Sequence, residues 1–376
     1  MRTRILFLPA SQIDNAGDQL INQAAIAALR PHGEIIVDDL RTPPWFLQAI
    51  GAGPHERFSA ISRDRFYPGL VKMLLKRRLT GEPLRYCLVL PPGHLFRQGL
   101  AAARVATLWH LKLLLLRVLG CTVVRAGFSI GPFDRVNLWA EKFGAFCHSF
   151  YGVRDRVSHA LARSHGFRHL HCVPDLAWTF HPAPTATALP PHGAVVLSFR
   201  ANATGERHSS DYLLPIRQRL RALLHATELR QRPLLVSYQV QADREAAAEL
   251  LADLQDGFTV EWRAERLSIA EASALYAGAH CVISNRLHVL LLAARNNTLP
   301  VALARGADNV KITSILVDNG LDDVVIDVDR GEADNVQRLQ RILAARDSVI
   351  ERFSDAARDN GARVHQALAG LLARPA

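Results

Sequence analysis

Two residues with complementary chemistry, Arg286 and His288, lie two positions apart, directly after an apolar run at residues 279–283. The pattern predicts a buried strand, a turn and a helix that begins near the arginine. A helix N-terminus offers free backbone N–H groups and a partial positive charge. A guanidinium and an imidazole on that turn would form an anion site with its own proton donor. The simpler interpretation is that Arg286 pairs with a surface carboxylate and His288 only packs at the strand end.

Other polar residues also fall at or just after apolar runs that predict strands. In parallel α/β sheets, ligands bind at the carboxyl ends of the strands. We therefore expect these residues to surround a binding site. They are Asn15, Asp18, His94, Ser129, Arg154, Asp155, Asp175, Arg200, Arg286, His288 and Lys311.

The segment Asn15-Ala16-Gly17-Asp18 opens a predicted helix without the G-x-G-x-x-G pattern of a dinucleotide-binding turn. Gly17 is expected to allow an unusual backbone φ. Asn15 or Asp18 could simply cap the helix. The functional interpretation is a carboxylate that orients or deprotonates a hydroxyl group.

Residues 126–132 are predicted to form a glycine-rich loop after a strand. The loop contains Gly127-x-Ser129-x-Gly131, but Ser129 is not expected to be a hydrolase nucleophile, and close backbone packing is favoured. The segment Arg154-Asp155-x-x-Ser158 could be nothing more than a helix start capped by Asp155, or Arg154 could instead reach an anion.

Three cationic residues, Arg200, Arg286 and Lys311, are predicted at strand ends in the second half of the chain. We expect them to converge on one site for a multiply charged small ligand. His169 and His171 would share one face of a strand, as metal ligands can, but no third ligand is evident nearby. No metal site is predicted.

Strand and helix patterns alternate along the chain, which predicts an α/β fold with parallel sheets. A segment rich in Pro, Ala and Thr at residues 181–193 interrupts this alternation, which then restarts. We expect an N-terminal domain at 1–180, a linker at 181–193, a C-terminal domain at 194–330 and a helical segment at 331–376, with a deep cleft between the two domains.

The 376 residues carry a net charge of +10, which favours anionic partners. No zinc-finger spacing or RNP-type aromatic motif is present, so nucleic acid is not an expected partner. The densest basic cluster, at residues 72–78, predicts weak adsorption to an anionic membrane that high salt would reverse.

Five scattered cysteines without a C-x-x-C pair favour a reducing compartment. The N-terminal apolar run is too short for a signal peptide, and the most apolar later segment, residues 111–119, is too short to span a bilayer. We therefore expect a cytoplasmic protein with peripheral contact at the inner face of the membrane.

Taken in order, these motifs resemble the polysaccharide pyruvyl transferase family. The most specific part is Arg286-Leu287-His288 with Pro300 and Lys311 downstream. The matching segments are N-x-G-D at 15–18, G-x-S-x-G-P at 127–132, V-R-D-x-x-S at 153–158, P-D-x-A at 174–177, S-x-R-L-H at 284–288 and D-x-x-K at 308–311. The chain departs from the family at residues 91–94, where Pro-Pro-Gly-His replaces the usual run of glycines.

The resemblance implies a glycosyltransferase-B-like fold of two Rossmann-like domains facing a cleft. It also implies phosphoenolpyruvate as the donor and co-substrate, a pair of glycan hydroxyls as the acceptor, and no other cofactor. Arg286 and His288 match the family's donor-site residues. The remaining donor-side candidates are Leu287, Arg200, Ser284 and Lys311, and the candidates for the acceptor side or the cleft are Asn15, Gly17, Asp18, His94, Ser129, Arg154 and Asp155.

The residue chemistry is independently suited to this donor. Phosphoenolpyruvate carries a carboxylate and a phosphate, which guanidinium and ammonium groups bind well. A protonated His288 could donate its proton to the enol methylene, which would make C2 an electrophile for sugar hydroxyls. A bound dianion would favour the protonated imidazole.

Two other classes of function remain open at the level of sequence. A nucleotide-sugar-dependent glycosyltransferase of the same architecture should bind a nucleoside diphosphate. A non-catalytic basic protein should bind nucleic acid or anionic lipid and tolerate the loss of His288. The acceptor sugar, the hydroxyl pair, a free or lipid-linked acceptor, a ketal or enolpyruvyl product and the oligomeric state also stay open.

Overall fold

The computed structural model describes residues 2–9, 13–182, 193–202, 210–306 and 308–373, without the side chains of residues 210, 211, 311 and 373. Contacts within the chain divide it into two units. The first unit comprises Met1–Ile13, Asp18–Phe180 and Asp359–Ala376, and the second comprises Asp14–Gly17 and His181–Arg358. The predicted linker falls mainly on residues 183–192, which lie outside the described residues.

The first unit is built on a parallel sheet with helices on both faces. Its elements are β1 (Arg2–Phe7), α1 (Ala16–Leu29, whose first two residues are grouped with the second unit), β2 (Glu34–Val37), α2 (Pro44–Ala49), α3 (Phe58–Ile61), α4 (Phe66–Thr80), β3 (Leu84–Val89), β4 (Gly93–Arg97), α5 (Leu100–Val118), β5 (Thr122–Phe133), α6 (Arg135–Cys147), β6 (Phe150–Val153), α7 (Arg156–Ser164) and β7 (Leu170–Cys172).

The first sheet has the strand order β2-β1-β3-β5-β6-β7, and β4 pairs with β5. All of these pairs are parallel. Side chains alternate between the two faces of β1, so Ile5 and Phe7 pack in one core and Leu6 in another. The Leu6 core is covered by residues of α4 and α5, including Leu70, Leu74 and Leu113.

The second unit repeats this plan with a six-stranded parallel sheet in the order β10-β9-β8-β11-β12-β13. Its elements are β8 (Val195–Ser198), α8 (Ser210–His225), β9 (Leu234–Ser237), α9 (Arg244–Gln255), β10 (Val260–Trp262), α10 (Ile269–Ala277), β11 (Cys281–Ser284), α11 (Leu287–Arg295), β12 (Leu299–Ala304), α12 (Val310–Asp318), β13 (Val325–Asp327), α13 (Glu332–Ala344) and α14 (Arg346–Ala373). The last part of α14 is grouped with the first unit.

The predicted glycine-rich loop at residues 126–132 is wrong, because β5 continues to Phe133. Its pairing with β6 shifts register between Ala126 and Phe128, and Gly127 has a φ of 69°. A Cβ on Gly127 would lie 2.6 Å from Cγ of Leu176. The glycine therefore permits a bulge and a close contact inside the strand.

Several elements of the first unit were not predicted, among them α2, α3, α4, β4 and α6. The segment Pro91-Pro92-Gly93-His94 does more than end a strand, since Gly93 begins β4, which pairs with β5. Helix α6 follows β5 and packs along α5, where the helices meet through Ala103, Ala106 and Ala140. Among the described residues, no helix combines the length and the hydropathy needed to cross a membrane.

Candidate functional site

The candidate site of the second unit lies beyond two adjacent strands. Strand β8 pairs with β11, and Ser198 stands opposite Ser284 in the parallel register. Arg200 and Arg286 each follow two residues later. The topology therefore brings both arginines to the carboxyl edge of the sheet, where the sequence predicted them to converge.

The turn after β11 is held by buried side chains. Oγ of Ser284 donates to the carbonyl oxygen of Ser198 at 2.5 Å and accepts from the backbone N–H of Arg286 at 2.9 Å. Asn285 bridges to the neighbouring strand end, because its Oδ1 accepts from the Arg200 N–H at 2.6 Å and its Nδ2 donates to the Arg200 carbonyl at 3.1 Å. These bonds fix the two arginine backbones relative to each other.

The guanidinium of Arg286 is mostly buried, with 12% of its side chain exposed. One terminal nitrogen donates to Oδ2 of Asp243, a residue that precedes α9 and is itself buried. The second carboxylate oxygen of Asp243 accepts from the backbone N–H of Ala201 at 3.0 Å. Nε of Arg286 has no hydrogen-bond acceptor within the described part of the chain. Asp243 thus anchors the guanidinium but leaves part of its donor capacity unused.

Tyr212 connects this turn to the start of α12. Its hydroxyl oxygen accepts from Nδ2 of Asn285 at 3.2 Å and from Nδ2 of Asn309 at 2.9 Å. Burial raises the pKa of Tyr212, so the hydroxyl stays neutral. Asn309 is the N-cap of α12, in which Lys311 is the second residue. The side chain of Lys311 lies outside the described residues, so its convergence with the arginines stays a prediction.

His288 is the second residue of α11, whose N-cap is Arg286. Its ring packs against Gly17, which is grouped with the second unit. A Cβ on Gly17 would lie only 2.6 Å from Nδ1 of His288. The expectation of an unusual φ at Gly17 is wrong, because the residue lies in the first turn of α1 and outside the positive-φ glycines. Glycine is needed there because the imidazole occupies the space of a side chain.

The local interpretation of Asn15 is confirmed, since its Oδ1 accepts from the N–H of Gly17 at 3.0 Å at the start of α1. Asp18, the next polar residue, is half-buried, and its carbonyl oxygen accepts from Nδ2 of Asn22 at 2.6 Å. The side chain of Leu287 is buried at the first position of α11. Leu287 can therefore offer a ligand little beyond its backbone N–H.

The start of α11 combines three features that suit an anion. Arg286 provides no side-chain cap for the helix, so the backbone N–H groups of the first turn point away from the helix body. The helix dipole adds partial positive charge, and the guanidinium adds a full one. His288 places an imidazole on the same turn. Such an arrangement can bind an anionic group and transfer a proton next to it.

The predicted site residues of the first unit form a buried hydrogen-bond network, unlike the turn around Arg286. Ser129 lies within β5, Arg154 and Asp155 follow β6, and the three residues are brought together and buried. Oγ of Ser129 donates to Oδ2 of Asp155 at 2.6 Å and accepts from Nε of Arg154 at 2.8 Å. Arg154 also donates to Asp175, whose other oxygen accepts from the N–H of Ala177 at 2.8 Å.

This first-unit network also contains the helix cap that the sequence allowed. Oδ1 of Asp155 accepts from the N–H of Ser158 at 2.7 Å, so Asp155 caps α7. Oγ of Ser158 then accepts from the N–H of Ile130 at 3.0 Å. The contacts make Ser129, Arg154 and Asp155 a buried brace between β5 and the end of β6. An acceptor role for these residues stays a prediction.

His94 lies on β4 opposite Ser129, and its Nε2 is 2.5 Å from the carbonyl oxygen of Gly131. It is half-buried. His171, whose pairing with His169 had suggested metal chemistry, stacks on Phe150 with ring centroids 4.2 Å apart. The described residues contain no group of three or more His, Cys, Asp and Glu side chains placed to hold a metal ion.

A cavity of about 490 Å³ lies elsewhere in the first unit, at the amino ends of β3, β5 and β6. Arg85 lines it and donates to the carbonyl oxygens of Leu371 and Leu372 at 3.2 and 2.7 Å. These contacts tie the end of α14 to the sheet. Because ligands of parallel sheets bind at the opposite, carboxyl ends of the strands, this cavity does not compete with the Arg286 site for the main function.

Sequence reasoning missed several residues that organise the second-unit site. Asn285 and Asn309 had signals, since one lies inside the Ser-x-Arg-Leu-His motif and the other directly follows Asp308 in the Asp-x-x-Lys motif. Asp243 and Tyr212 had no local signal that distinguishes them from other residues at helix starts. Their roles depend on contacts with residues far away in the chain.

A family model for polysaccharide pyruvyl transferase matches residues 15–306, a stretch that includes Asn15, Arg154, Arg286 and His288. The chain belongs to the polysaccharide pyruvyl transferase family. It is therefore an enzyme of the transferase class. No curated protein matches the chain.

Solved structures share the fold at low sequence identity. Arabidopsis thaliana UGT89C1 complexed with UDP-L-rhamnose is 12% identical, with a TM-score of 0.57 and 99% of each chain covered. A putative UDP-N-acetylglucosamine 2-epimerase from Listeria monocytogenes is 10% identical, with a TM-score of 0.55 and coverage of 95% of this chain and 94% of that one.

UDP-GlcNAc 2-epimerase from Neisseria meningitidis, bound to UDP-GlcNAc, is 8% identical, with a TM-score of 0.52 and coverage of 97% of this chain and 100% of that one. These likenesses show the fold alone. The transferase has two Rossmann-like units of the glycosyltransferase-B type, as the sequence predicted.

Proposed function

We propose that this transferase uses phosphoenolpyruvate to place a pyruvate ketal on a sugar of a bacterial-type surface polysaccharide or of its lipid-linked precursor. The observation that carries the proposal is the first turn of α11, where Arg286 and His288 flank a helix N-terminus. The donor has a carboxylate and a phosphate, and both match the positive groups of this turn.

In this proposal Arg286 binds the donor through the guanidinium N–H groups that Asp243 does not engage. Asp243 holds the guanidinium in place, so little conformational entropy is lost when the donor binds. Arg200, whose backbone is fixed by Asn285, would supply a second cation from the neighbouring strand end. Lys311 would supply a third from the start of α12.

His288 is the proposed general acid. It donates a proton to the methylene carbon of phosphoenolpyruvate, and C2 becomes an oxocarbenium-like electrophile. One sugar hydroxyl adds to C2 and releases its proton, the C2–O bond to phosphate breaks, and the second hydroxyl closes the ketal. The products are the ketal, inorganic phosphate and the two hydroxyl protons, one of which restores His288. No electron transfer is involved.

Most of the candidates for the acceptor side belong to the first unit. Asp18, in the first turn of α1, and His94, on β4, are half-buried and remain the candidates for orienting or deprotonating a hydroxyl. The buried brace of Ser129, Arg154 and Asp155 would act by holding β5, which pairs with the strand that carries His94.

The test is phosphate release from phosphoenolpyruvate in the presence of free and lipid-linked oligosaccharides. We expect release that depends on a particular acceptor. Proton NMR of the product then separates the ketal, which has a methyl group, from an enolpyruvyl ether of equal mass, which has a vinylidene pair. No acceptor-dependent release with any oligosaccharide of a broad panel would count against the proposal.

Use of a nucleotide sugar is the second candidate, because the fold is shared with UGT89C1, which was crystallised with UDP-L-rhamnose. That function predicts saturable binding of UDP and competition between UDP and the donor. Our proposal predicts that UDP neither binds at micromolar concentration nor inhibits phosphate release.

A further inference from the structure

Helix α5 presents an apolar stripe to solvent. Its buried side, which includes His110, Leu113 and Leu116, faces the unit. The opposite side is exposed and carries an apolar residue in each turn. The exposed apolar residues of this helix are Leu100, Val105, Leu108, Leu111, Leu115 and Val118. Val105 and Val118 are 68% and 67% exposed, so the side chains of the stripe are clearly exposed to solvent.

The two neighbouring helices extend this surface. Tyr67 of α4 packs edge-on against Trp109 of α5, with ring centroids 5.3 Å apart. On the other side, α6 packs closely on α5, since a Cβ on Gly144 would lie 2.4 Å from the ring of His110. The exposed apolar residues that these neighbours add are Leu75 and Leu79 from α4 and Val136, Trp139 and Phe146 from α6.

The surface is basic as well as apolar. Helices α4, α5 and α6 carry four, three and two Lys or Arg residues, and their single acidic residue, Glu141, is fully buried. Lys142 lies over the ring of Trp139 at 5.1 Å. Of the acidic residues that precede α4 and α6, Asp64 pairs with Lys72, and Asp134 accepts from backbone N–H groups.

Charge decides which partner fits. A second copy of the same surface would bring lysines and arginines against one another, which is unfavourable. A bilayer with anionic headgroups satisfies both properties of the surface. Its phosphates attract the basic side chains, and the boundary between headgroups and acyl chains accepts Leu, Val and Trp side chains.

We propose that α4, α5 and α6 form a membrane-docking surface for bilayers with anionic headgroups, and that apolar side chains of α5 and Trp139 of α6 enter the headgroup–acyl boundary. The sequence prediction relied only on charge, namely the net charge of +10 and the basic cluster at residues 72–78, and expected release in high salt. Apolar insertion changes that expectation, because salt screens the charges but not the apolar contact. Part of the binding should survive a high-salt wash.

The first experiment is flotation of the full-length protein with vesicles of phosphatidylcholine and phosphatidylglycerol at about 70:30. The test variant carries Leu108→Glu and Leu111→Glu, at positions that are 52% and 47% exposed. The matched control carries Val317→Glu and Leu214→Glu in the second unit, at positions that are 52% and 45% exposed. Both pairs introduce the same charge at surface positions.

We expect the Leu108/Leu111 variant to reduce the bound fraction by about 10-fold or more, and the control to bind like the wild type. The proposal would be overturned if both variants lost vesicle binding equally, or if the wild-type protein did not bind these vesicles. So would a stable dimer that only the Leu108/Leu111 variant dissociates in sedimentation velocity, because the surface would then serve a second copy.

Depth of insertion is tested with vesicles whose acyl chains carry bromine, which quenches nearby tryptophan fluorescence. We expect vesicle-dependent quenching in the wild type and its loss in Trp139→Phe, which retains an aromatic ring and should still bind. Bound wild-type protein without quenching would contradict insertion. Affinity for phosphoenolpyruvate without vesicles should be unchanged in all of these variants, so this test is independent of the donor proposal.

Discussion

Arg154 and Arg286 follow strands of parallel sheets in the two units, and their surroundings differ in one respect. Arg154 donates through Nε to Ser129 and through a terminal nitrogen to Asp175, and 5% of its side chain is exposed. Arg286 donates to Asp243, but its Nε has no acceptor among the described residues. The first arginine completes a network, whereas the second retains donor capacity beside a helix N-terminus.

The difference separates a structural brace from a binding site. A buried guanidinium whose donors are satisfied has no reason to attract a ligand, and removing its partner leaves an uncompensated charge. A guanidinium with an unsatisfied buried donor gains a hydrogen bond when an anion arrives. Strand-end position alone, which the two arginines share, therefore does not identify the donor site.

The largest expected effect is on turnover. His288→Ala should lower turnover by about 10²–10⁴-fold, the usual range for the loss of a proton donor, while donor affinity falls less because Arg286 remains. His288→Asn sharpens the test, since asparagine retains hydrogen bonding but cannot deliver a proton at neutral pH. Steady-state kinetics at saturating phosphoenolpyruvate measure both. Near-normal turnover of His288→Asn would reduce His288 to a binding residue.

The second effect is on folding. Asp175→Asn should lower the free energy of unfolding by about 3–5 kcal/mol, because the buried charge of Arg154 loses its counter-ion. The exposed pair of Asp355 and Arg358 provides the control, and Asp355→Asn should cost less than about 1 kcal/mol. Urea denaturation followed by circular dichroism measures both values. A small cost for Asp175→Asn would mean that the brace is not structural.

The third effect concerns the contact of Gly17 with His288. Gly17→Ala introduces a methyl group 2.6 Å from Nδ1, so the imidazole must move, and turnover should fall by about 10²-fold. Gly361 lies within α14, and a Cβ added there would have no neighbouring atom within 4 Å, so Gly361→Ala should leave turnover unchanged and improve helix stability by up to about 1 kcal/mol. Equal kinetics of the two variants would show that the imidazole position is not critical.

The fourth effect is a pH dependence of the stability of the first unit. Burial lowers the pKa of His148 to about 3, against 6.5 for an exposed histidine. Below pH 6.5 this histidine is therefore protonated in the unfolded chain but stays neutral in the folded chain. The free energy of unfolding consequently falls as pH decreases from 6.5 towards 3. The loss should reach about 2 kcal/mol at pH 5. Denaturation at pH 7 and pH 5 measures it, and His148→Phe should have a flatter profile.

The fold was largely predictable because each βα unit has its own local signal. Apolar runs of four to six residues followed by helical patterns located β1, β3, β8 and β11. The loop predicted at residues 126–132 was wrong because glycine is common both in loops and at strand bulges. The exposed stripe of α5 was not predicted either, because an apolar helix pattern alone cannot distinguish a buried face from an exposed one.

The candidate site was predictable only in its local part. Arg286 and His288 belong to one turn, so their proximity follows from the sequence. Asp243, which anchors Arg286, lies more than forty residues away in the chain, and its contact depends on the packing that brings the start of α9 to the segment after β8. Whether a strand-end arginine is already satisfied depends on such distant partners, and the sequence does not contain that information in a local form.

The most direct test of the comparison is titration calorimetry of phosphoenolpyruvate with Arg286→Lys and Arg154→Lys, each alongside the wild type. Lysine is a point charge that cannot replace the planar fork of arginine. We predict that Arg286→Lys weakens donor binding by about 10-fold or more with little change in unfolding free energy. Arg154→Lys should destabilise the protein and leave the donor affinity of the folded enzyme unchanged. Equal affinity losses in both variants, or none in Arg286→Lys, would contradict the account.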